Sequence, residues 1–287
     1  NGTEAQKKRY LPPIVAGDKP AIAITEPEAG SAATDLTTRA EPAEGGFTLN
    51  GEKRWITGAG ETDLYLVFAR FGDVPGSAGI GALLVPADTP GLSVPKVRKM
   101  MGVRGMPEGD VVFDNCYVPA ENILLPAGAG FKKLMGAYNL QRLGAATVAL
   151  GIAQGAFDLA ASYALEREQF GQPIGEFQGI QWMLSDMYQQ LECSRLLIHR
   201  AAVNAGTGLP DRTEAAVAKV QAAEMAISVT NTALQIHGAA GYSRELPLER
   251  MVRDARMFTI GGGTAQVQRN LIGKEILKNA QRQRHID

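Results

Sequence analysis

The order of residue patterns along the chain predicts an α+β protein: a β-barrel-like middle domain followed by a C-terminal four-helix bundle. From residue 20 to about 124, short runs rich in apolar and β-branched residues are separated by Gly, Pro, Asp and Asn clusters, the pattern of strands and turns. From about residue 128, long Ala/Leu/Glu/Gln/Arg-rich segments with helical periodicity take over. The predicted organisation is therefore the end of a helical region and a linker over 1–18, a β-domain over 19–125 and a helical bundle over 126–287.

Within the β-domain, strands are expected at 21–24, 47–49, 64–69, 81–85 and 110–112. Asn50-Gly51 reads as a tight turn, because both residue types tolerate a positive φ. In the helical part, breaks near 171–175, 206–210 and 238–247 divide the chain into four or five helices, two of them long. Residues 143–165 are long and apolar, but they contain Gln154, Asp158 and Ser162 and are rich in Ala and Gly. A membrane span needs about 20 predominantly apolar residues, and this stretch reads instead as a buried bundle helix whose small residues admit close neighbours. Basic clusters at Lys7-Lys8-Arg9 and at 282–285 read as solvated ends.

With 287 residues, 45% hydrophobic and 21% charged, the chain can bury a sizeable core. A net charge of -1 gives no electrostatic case for nucleic acid or an anionic membrane surface. Cys116 and Cys193 are isolated, no Cys/His spacing suggests a metal, and two lone thiols fit a reducing, cytoplasmic setting. The first ten residues have no apolar core, so no signal peptide is expected.

Five motifs carry the chemistry. Ile24-Thr25-Glu26-Pro27-Glu28-Ala29-Gly30-Ser31 offers small residues and hydroxyls that let backbone amides approach a phosphate. Trp55-Ile56-Thr57 places an aromatic ring two residues from a hydroxyl. The others are Arg167-Glu168-Gln169-Phe170-Gly171-Gln172-Pro173-Ile174 with Phe177-Gln178, Leu234-Gln235-Ile236-His237-Gly238-Ala239-Ala240-Gly241-Tyr242, and Thr259-Ile260-Gly261-Gly262-Gly263-Thr264-Ala265-Gln266-Val267-Gln268-Arg269. Their order and spacing resemble the acyl-CoA dehydrogenase family across essentially the whole chain. That resemblance implies FAD as cofactor, held along Ile24, Thr25 and Ser31, flanked by Trp55 and Thr57, and contacted by Thr264 and Gln266. It implies that Arg167, Phe170, Gln178, Gln235 and Gly238 reach the FAD of a neighbouring subunit, hence a homodimer or homotetramer. It further implies an acyl-CoA substrate contacted by Arg142, and places the start of this chain about where the family's N-terminal helical domain ends. His237 reads as a structural histidine, and Glu26 and Glu28 as structural carboxylates.

The family's base is a Glu in the last motif or, in one branch, on a helix just before an Arg. Here those positions hold Gly262 and Gln141. Removing the proton next to a thioester carbonyl needs a positioned base, and its loss slows such a step by about 10²–10⁴-fold. A narrower resemblance accounts for both losses. Gly30-Ser31-Ala32-Ala33, Met101-Gly102-Val103-Arg104-Gly105 and Arg253-Asp254-Ala255-Arg256-Met257-Phe258-Thr259-Ile260 are similar to the 3-sulfinopropionyl-CoA desulfinase branch. That branch also carries Gln and Gly at these positions, and it releases sulfite hydrolytically without net flavin oxidation. Gln141 is then a polar residue that orients substrate or water. The alternatives are α,β-dehydrogenation by a non-standard base, and an inactive flavin- and CoA-binding subunit.

Overall fold

The computed structural model describes residues 2–128 and 130–283; Arg284 and His285 of the C-terminal basic cluster lie outside the described residues. The chain forms two compact units, residues 1–100 with 104–135, and residues 101–103 with 136–287.

The first unit opens with helix α1 (Glu4–Ala16). Thr3 and Gln6 form a reciprocal capping box at its start, and Gly17, at φ 125°, ends it. The Gln6 amide also donates to the carbonyls of Glu121 and Ile123, both at 2.8 Å, which ties the helix to the sheet. Eight strands follow: β1 (Ala21–Ala23), β2 (Arg39–Ala43), β3 (Gly46–Thr57), β4 (Leu64–Phe71), β5 (Ile80–Pro86), β6 (Leu92–Val97), β7 (Glu108–Pro119) and β8 (Ile123–Leu125). They make one mixed sheet in the order β6-β7-β3-β2-β4-β5-β8, with β1 parallel to β4. Side chains alternate across a strand, so β4 and β5 supply two cores. Tyr65, Val67, Leu83 and Val85 enter one cluster, and Phe68, Ile80 and Ala82 enter the other.

The Asn50-Gly51 expectation is corrected. The hairpin between β2 and β3 turns at Glu44-Gly45, while Asn50-Gly51 lies inside β3 at an irregularity between its pairings Leu49↔Cys116 and Gly51↔Phe113. Gly51 uses its positive φ of 147° for close approach: a Cβ there would stand 2.7 Å from Thr38 Cα. The Asn50 Oδ1 accepts from the Asn115 amide at 2.7 Å. The extra residue is on β7, where Asp114 and Asn115 (φ 49°) stand opposite Asn50 alone, so the pair that often closes hairpins here faces a β-bulge of the neighbouring strand.

The second unit contains residues 136–166 of α2 (Gly130–Glu166), then α3 (Gln178–Ala205), α4 (Arg212–His237), α5 (Ala239–Tyr242), α6 (Leu248–Met257) and α7 (Ala265–Gln283). Among the described residues α2, α3 and α4 each exceed 25 residues, so the bundle has more long helices than expected. The glycines of α2 do not interrupt it, because the helix is held by packing. Its Ala146, Ala149, Ala153, Ala156 and Ala160 are buried against Met187, Leu191 and Ile198 of α3 and Ala218, Ala222, Ala226 and Val229 of α4. By length and composition α2 passes as a membrane span, with a mean hydropathy of 1.4 over its most apolar window. The alanine seam in the bundle core accounts for that composition. His237 is buried, bonds through Nδ1 to the Ala233 carbonyl at 2.8 Å and stacks on Tyr163 at 4.2 Å, a structural role.

Candidate functional site

The loop after β1 is built on a buried ion pair. Lys53 of β3 is 0% exposed, and its Nζ lies 2.7 Å from Glu26 Oε1. Glu26 also accepts from the Thr37 and Thr38 amides and the Thr37 hydroxyl, at 2.5, 2.9 and 2.8 Å. Burial works against the Glu26 charge, but the Lys53 cation and these donors outweigh it and hold the carboxyl at about 2. Burial pushes Lys53 down to about 8, against the opposing pull of Glu26. Glu26 is therefore the anchor of this loop. The Arg54 amide donates to the Thr25 carbonyl at 2.8 Å, which fixes Ile24 and Thr25 against β3. Ser31 is exposed, and open space surrounds Gly30.

Trp55 and Thr57 leave the same face of β3. Between the pairings Lys53↔Val111 and Ile56↔Gly109, β3 carries Arg54 and Trp55 opposite Asp110 alone. This bulge puts Trp55 at φ 58°, a conformation rare for a bulky residue, and leaves its ring 51% exposed. The Arg98 guanidinium lies over that ring, 4.1 Å from its centroid, and makes a two-pronged bond to Asp110 at 2.8 and 2.7 Å. An aromatic held by Arg98 over one face and otherwise half-exposed, beside a hydroxyl, suits stacking or edge contact with a planar ring, so the first-unit residues fit a flavin.

In the second unit, Arg167 precedes a small hairpin of β9 (Glu168–Gln169) and β10 (Gln172–Pro173). Phe170 and Gly171 form its tip at φ 53° and 79°, and Phe170 is 96% exposed. A bulky aromatic in a left-handed conformation on a fully solvated tip gains nothing within its own chain beyond an edge contact with Phe177 at 6.0 Å. Arg167, Gln178, Gln235 and Gly238 are exposed as well, and Gly238 has a φ of 58° with open space around it. Thr264 caps α7 by accepting from the Val267 amide at 3.2 Å, and Gln266 points to solvent on the first turn.

Gln141 is exposed on α2, whereas Arg142 is turned inward, 8% exposed. Arg142 lies over the Tyr138 ring and donates through Nη1 to Asn139 Oδ1 at 2.8 Å. Its Nε finds no partner among the described residues. Sequence reasoning missed a second buried cation, Lys219 of α4, 1% exposed, whose Nζ donates to the Gly263 carbonyl at 2.7 Å. Burial, with a further push from Arg142, lowers Lys219 to about 8. A lone lysine among the alanines of residues 215–223 was the available signal. Lys219 pins the loop that the Ala265 amide closes by donating to the Thr259 carbonyl at 2.9 Å. Gly262, at φ 70°, sits in this loop with open space where a side chain would begin. Among the described residues no group of three metal-ligating side chains occurs.

The chain matches the acyl-CoA dehydrogenase middle domain over residues 21–116 and the acyl-CoA dehydrogenase C-terminal domain over residues 128–277. It belongs to the acyl-CoA dehydrogenase family, whose members are FAD-binding flavoproteins. It is 55% identical over 280 residues to the 3-sulfinopropanoyl-CoA desulfinase of Paraburkholderia xenovorans, covering 96% of this chain and 72% of that protein. The desulfinase of Cupriavidus necator is 53% identical over 282 residues, with coverage of 96% and 71%. Among solved structures, butyryl-CoA dehydrogenase from Megasphaera elsdenii superposes with a TM-score of 0.93 at 40% identity, over 96% of this chain and 72% of that one. The expected fold class, a β-domain followed by a helical domain of this family, is thereby established.

Proposed function

We propose that this protein removes sulfite from 3-sulfinopropionyl-CoA by hydrolysis. The carbon–sulfur bond breaks, sulfur takes the hydroxyl of a water molecule and leaves as sulfite, and the carbon takes a proton to give propionyl-CoA. The observation that carries the reading is the missing carboxylate: Gly262 and Gln141 occupy both positions at which the family places its base. The helical unit also holds two buried cations that have no carboxylate partner. Arg142 and Lys219 are buried, and the polar partners they have are neutral oxygens. Buried charge without a counter-ion favours an anionic ligand over a neutral one. The desulfinase relatives at 53–55% identity support the same assignment.

By the family resemblance, Ile24, Thr25, Ser31, Trp55 and Thr57 would hold FAD, and Thr264 and Gln266 would be flavin contacts as well. When bound it would supply a flat ring as a wall of the substrate pocket, and a redox function that this reaction leaves unused. Gln141 would orient the water or the acyl group by hydrogen bonding, since an amide has negligible basicity. The exposed, left-handed Phe170, with Arg167, Gln178, Gln235 and Gly238, supports a flavin shared between subunits of a homodimer or homotetramer. The free thiols Cys116 and Cys193 support a cytoplasmic setting.

The test is to supply 3-sulfinopropionyl-CoA to the FAD-loaded protein and follow sulfite and flavin absorbance together. Sulfite release with an unbleached flavin is expected. Bleaching without sulfite would replace desulfination by dehydrogenation with a non-standard base. A loaded protein that shows neither would be a binding subunit.

A further inference from the structure

Thr57 and Glu108 are directly opposite each other in the β3–β7 ladder, and the Thr57 hydroxyl donates to Glu108 Oε1 at 2.6 Å. Backbone bonds hold both ends of this contact. The Gly58 amide donates to the Pro107 carbonyl at 2.8 Å, and the Arg98 amide donates to the Glu108 carbonyl at 2.7 Å. A threonine hydroxyl has one proton. With that proton committed to a carboxylate, Thr57 presents lone pairs rather than an O–H to anything on the face it shares with Trp55. The Glu108 charge is not cancelled by its neighbours. Arg98 is taken by Asp110, Arg54 by Glu52 at 2.8 Å, and Lys96 stands opposite Asp110 and is exposed. Burial raises the Glu108 pKa, against the Thr57 bond, which lowers it.

We propose that Glu108 is a positioning residue of the flavin site: through Thr57 it sets the polarity of the hydroxyl offered to the flavin edge and places a carboxylate there, so that the bound flavin is hard to reduce. This rests on the reading that FAD occupies the Trp55–Thr57 face. It explains how a flavoprotein fold can host a reaction without net oxidation: a negative charge beside a ring that gains electrons on reduction disfavours that reduction, and losing the acceptor frees the Thr57 proton to donate.

The experiment is the midpoint potential of the bound flavin in FAD-loaded wild type and Glu108→Gln, by equilibrium dye reduction. The carboxylate-to-amide change is expected to shift the oxidised–reduced equilibrium toward reduced flavin by about tenfold, about 30 mV for a two-electron couple. FAD content should be unchanged. In a Thr57→Val background the shift should be smaller, because the hydroxyl part is gone. Thr57→Val alone, which keeps the carboxylate, should leave the potential at or below the wild-type value, and this variant serves if Glu108→Gln folds poorly. Equal potentials in loaded wild type and Glu108→Gln, or a rise in Thr57→Val, overturn this inference alone. A wild-type protein that takes up no FAD sinks the flavin reading and this inference with it.

Discussion

The two units handle buried positive charge in opposite ways. In the β-unit, Lys53 meets Glu26 at 2.7 Å, and Arg98 meets Asp110 through two bonds. In the helical unit, Lys219 reaches only the Gly263 carbonyl, and Arg142 reaches Asn139 and leaves its Nε without a partner among the described residues. One region is electrostatically closed on itself and serves as a platform. The other keeps attraction in reserve, and it is the region from which the family's two carboxylate positions have been emptied. Two buried cations without a carboxylate partner, in the unit whose two base positions hold Gly262 and Gln141, suit a substrate that brings its own negative charge.

The largest expected effect sharpens this contrast. Glu26→Ala strands a buried Lys53 and should cost about 3–5 kcal/mol of stability, whereas Lys219→Met removes a cation that has no counter-ion and should cost under about 2 kcal/mol. Thermal or urea unfolding of both variants reads the difference directly, and equal losses would erase the distinction between the units. Next in size are two glycines. Gly51→Ala forces a Cβ to 2.7 Å from Thr38 Cα at a φ of 147° and should cost about 3 kcal/mol. Gly262→Ala, at φ 70° with open space around it, should cost about 1 kcal/mol. Comparable denaturation midpoints for these variants would mean that the loop around Gly262 is as tightly enclosed as the sheet.

The last contrast is in pH. Glu26 is held at about 2, below its ordinary 4.5, so the unfolded chain binds the proton first as the medium is acidified. Its contribution, of order 2–3 kcal/mol, is complete above pH 4.5 and drains away as the pH falls toward 2. Lys219 has the same slope in a different window: held at about 8, below its ordinary 10.5, it makes stability rise with pH between those values, as the cost of its buried charge is relieved. Glu26→Gln should flatten the acid limb of a stability–pH curve, and Lys219→Met the alkaline one.

Much of this was legible in the residues. The change from strand to helix patterns marks both architectures, and of the motif residues, Trp55, Thr57, Phe170, Gln235 and Gln266 are exposed while Ile24, Thr25 and Thr264 are half-buried. Strands carrying proline were not legible. Leu92–Val97 holds Pro95 and lies at a sheet edge, where a missing donor is tolerated, and Arg39–Ala43 holds Pro42. Asn50-Gly51 resembled a turn because close packing of Gly51 on Thr38 needs the same backbone freedom that a turn does. The Glu26–Lys53 pair, the Thr57–Glu108 pair and the burial of Lys219 join residues 27, 51 and 44 positions apart. No local pattern announces such partnerships; they exist only once the ladder and the bundle have formed.

The alanine seam of α2 and α4 has a consequence for how this protein can change. Helices lined by Ala146, Ala149, Ala153, Ala218, Ala222 and Ala226 lie close because there is so little side chain between them. Truncating mutations, the usual threat to a core, have almost nothing to remove there. One added methyl group, by contrast, meets a facing backbone that has no rotamer to yield. The alanine seam is thus vulnerable to addition rather than subtraction, while the cost of truncation falls on the larger Met187, Leu191 and Ile198 of the same core.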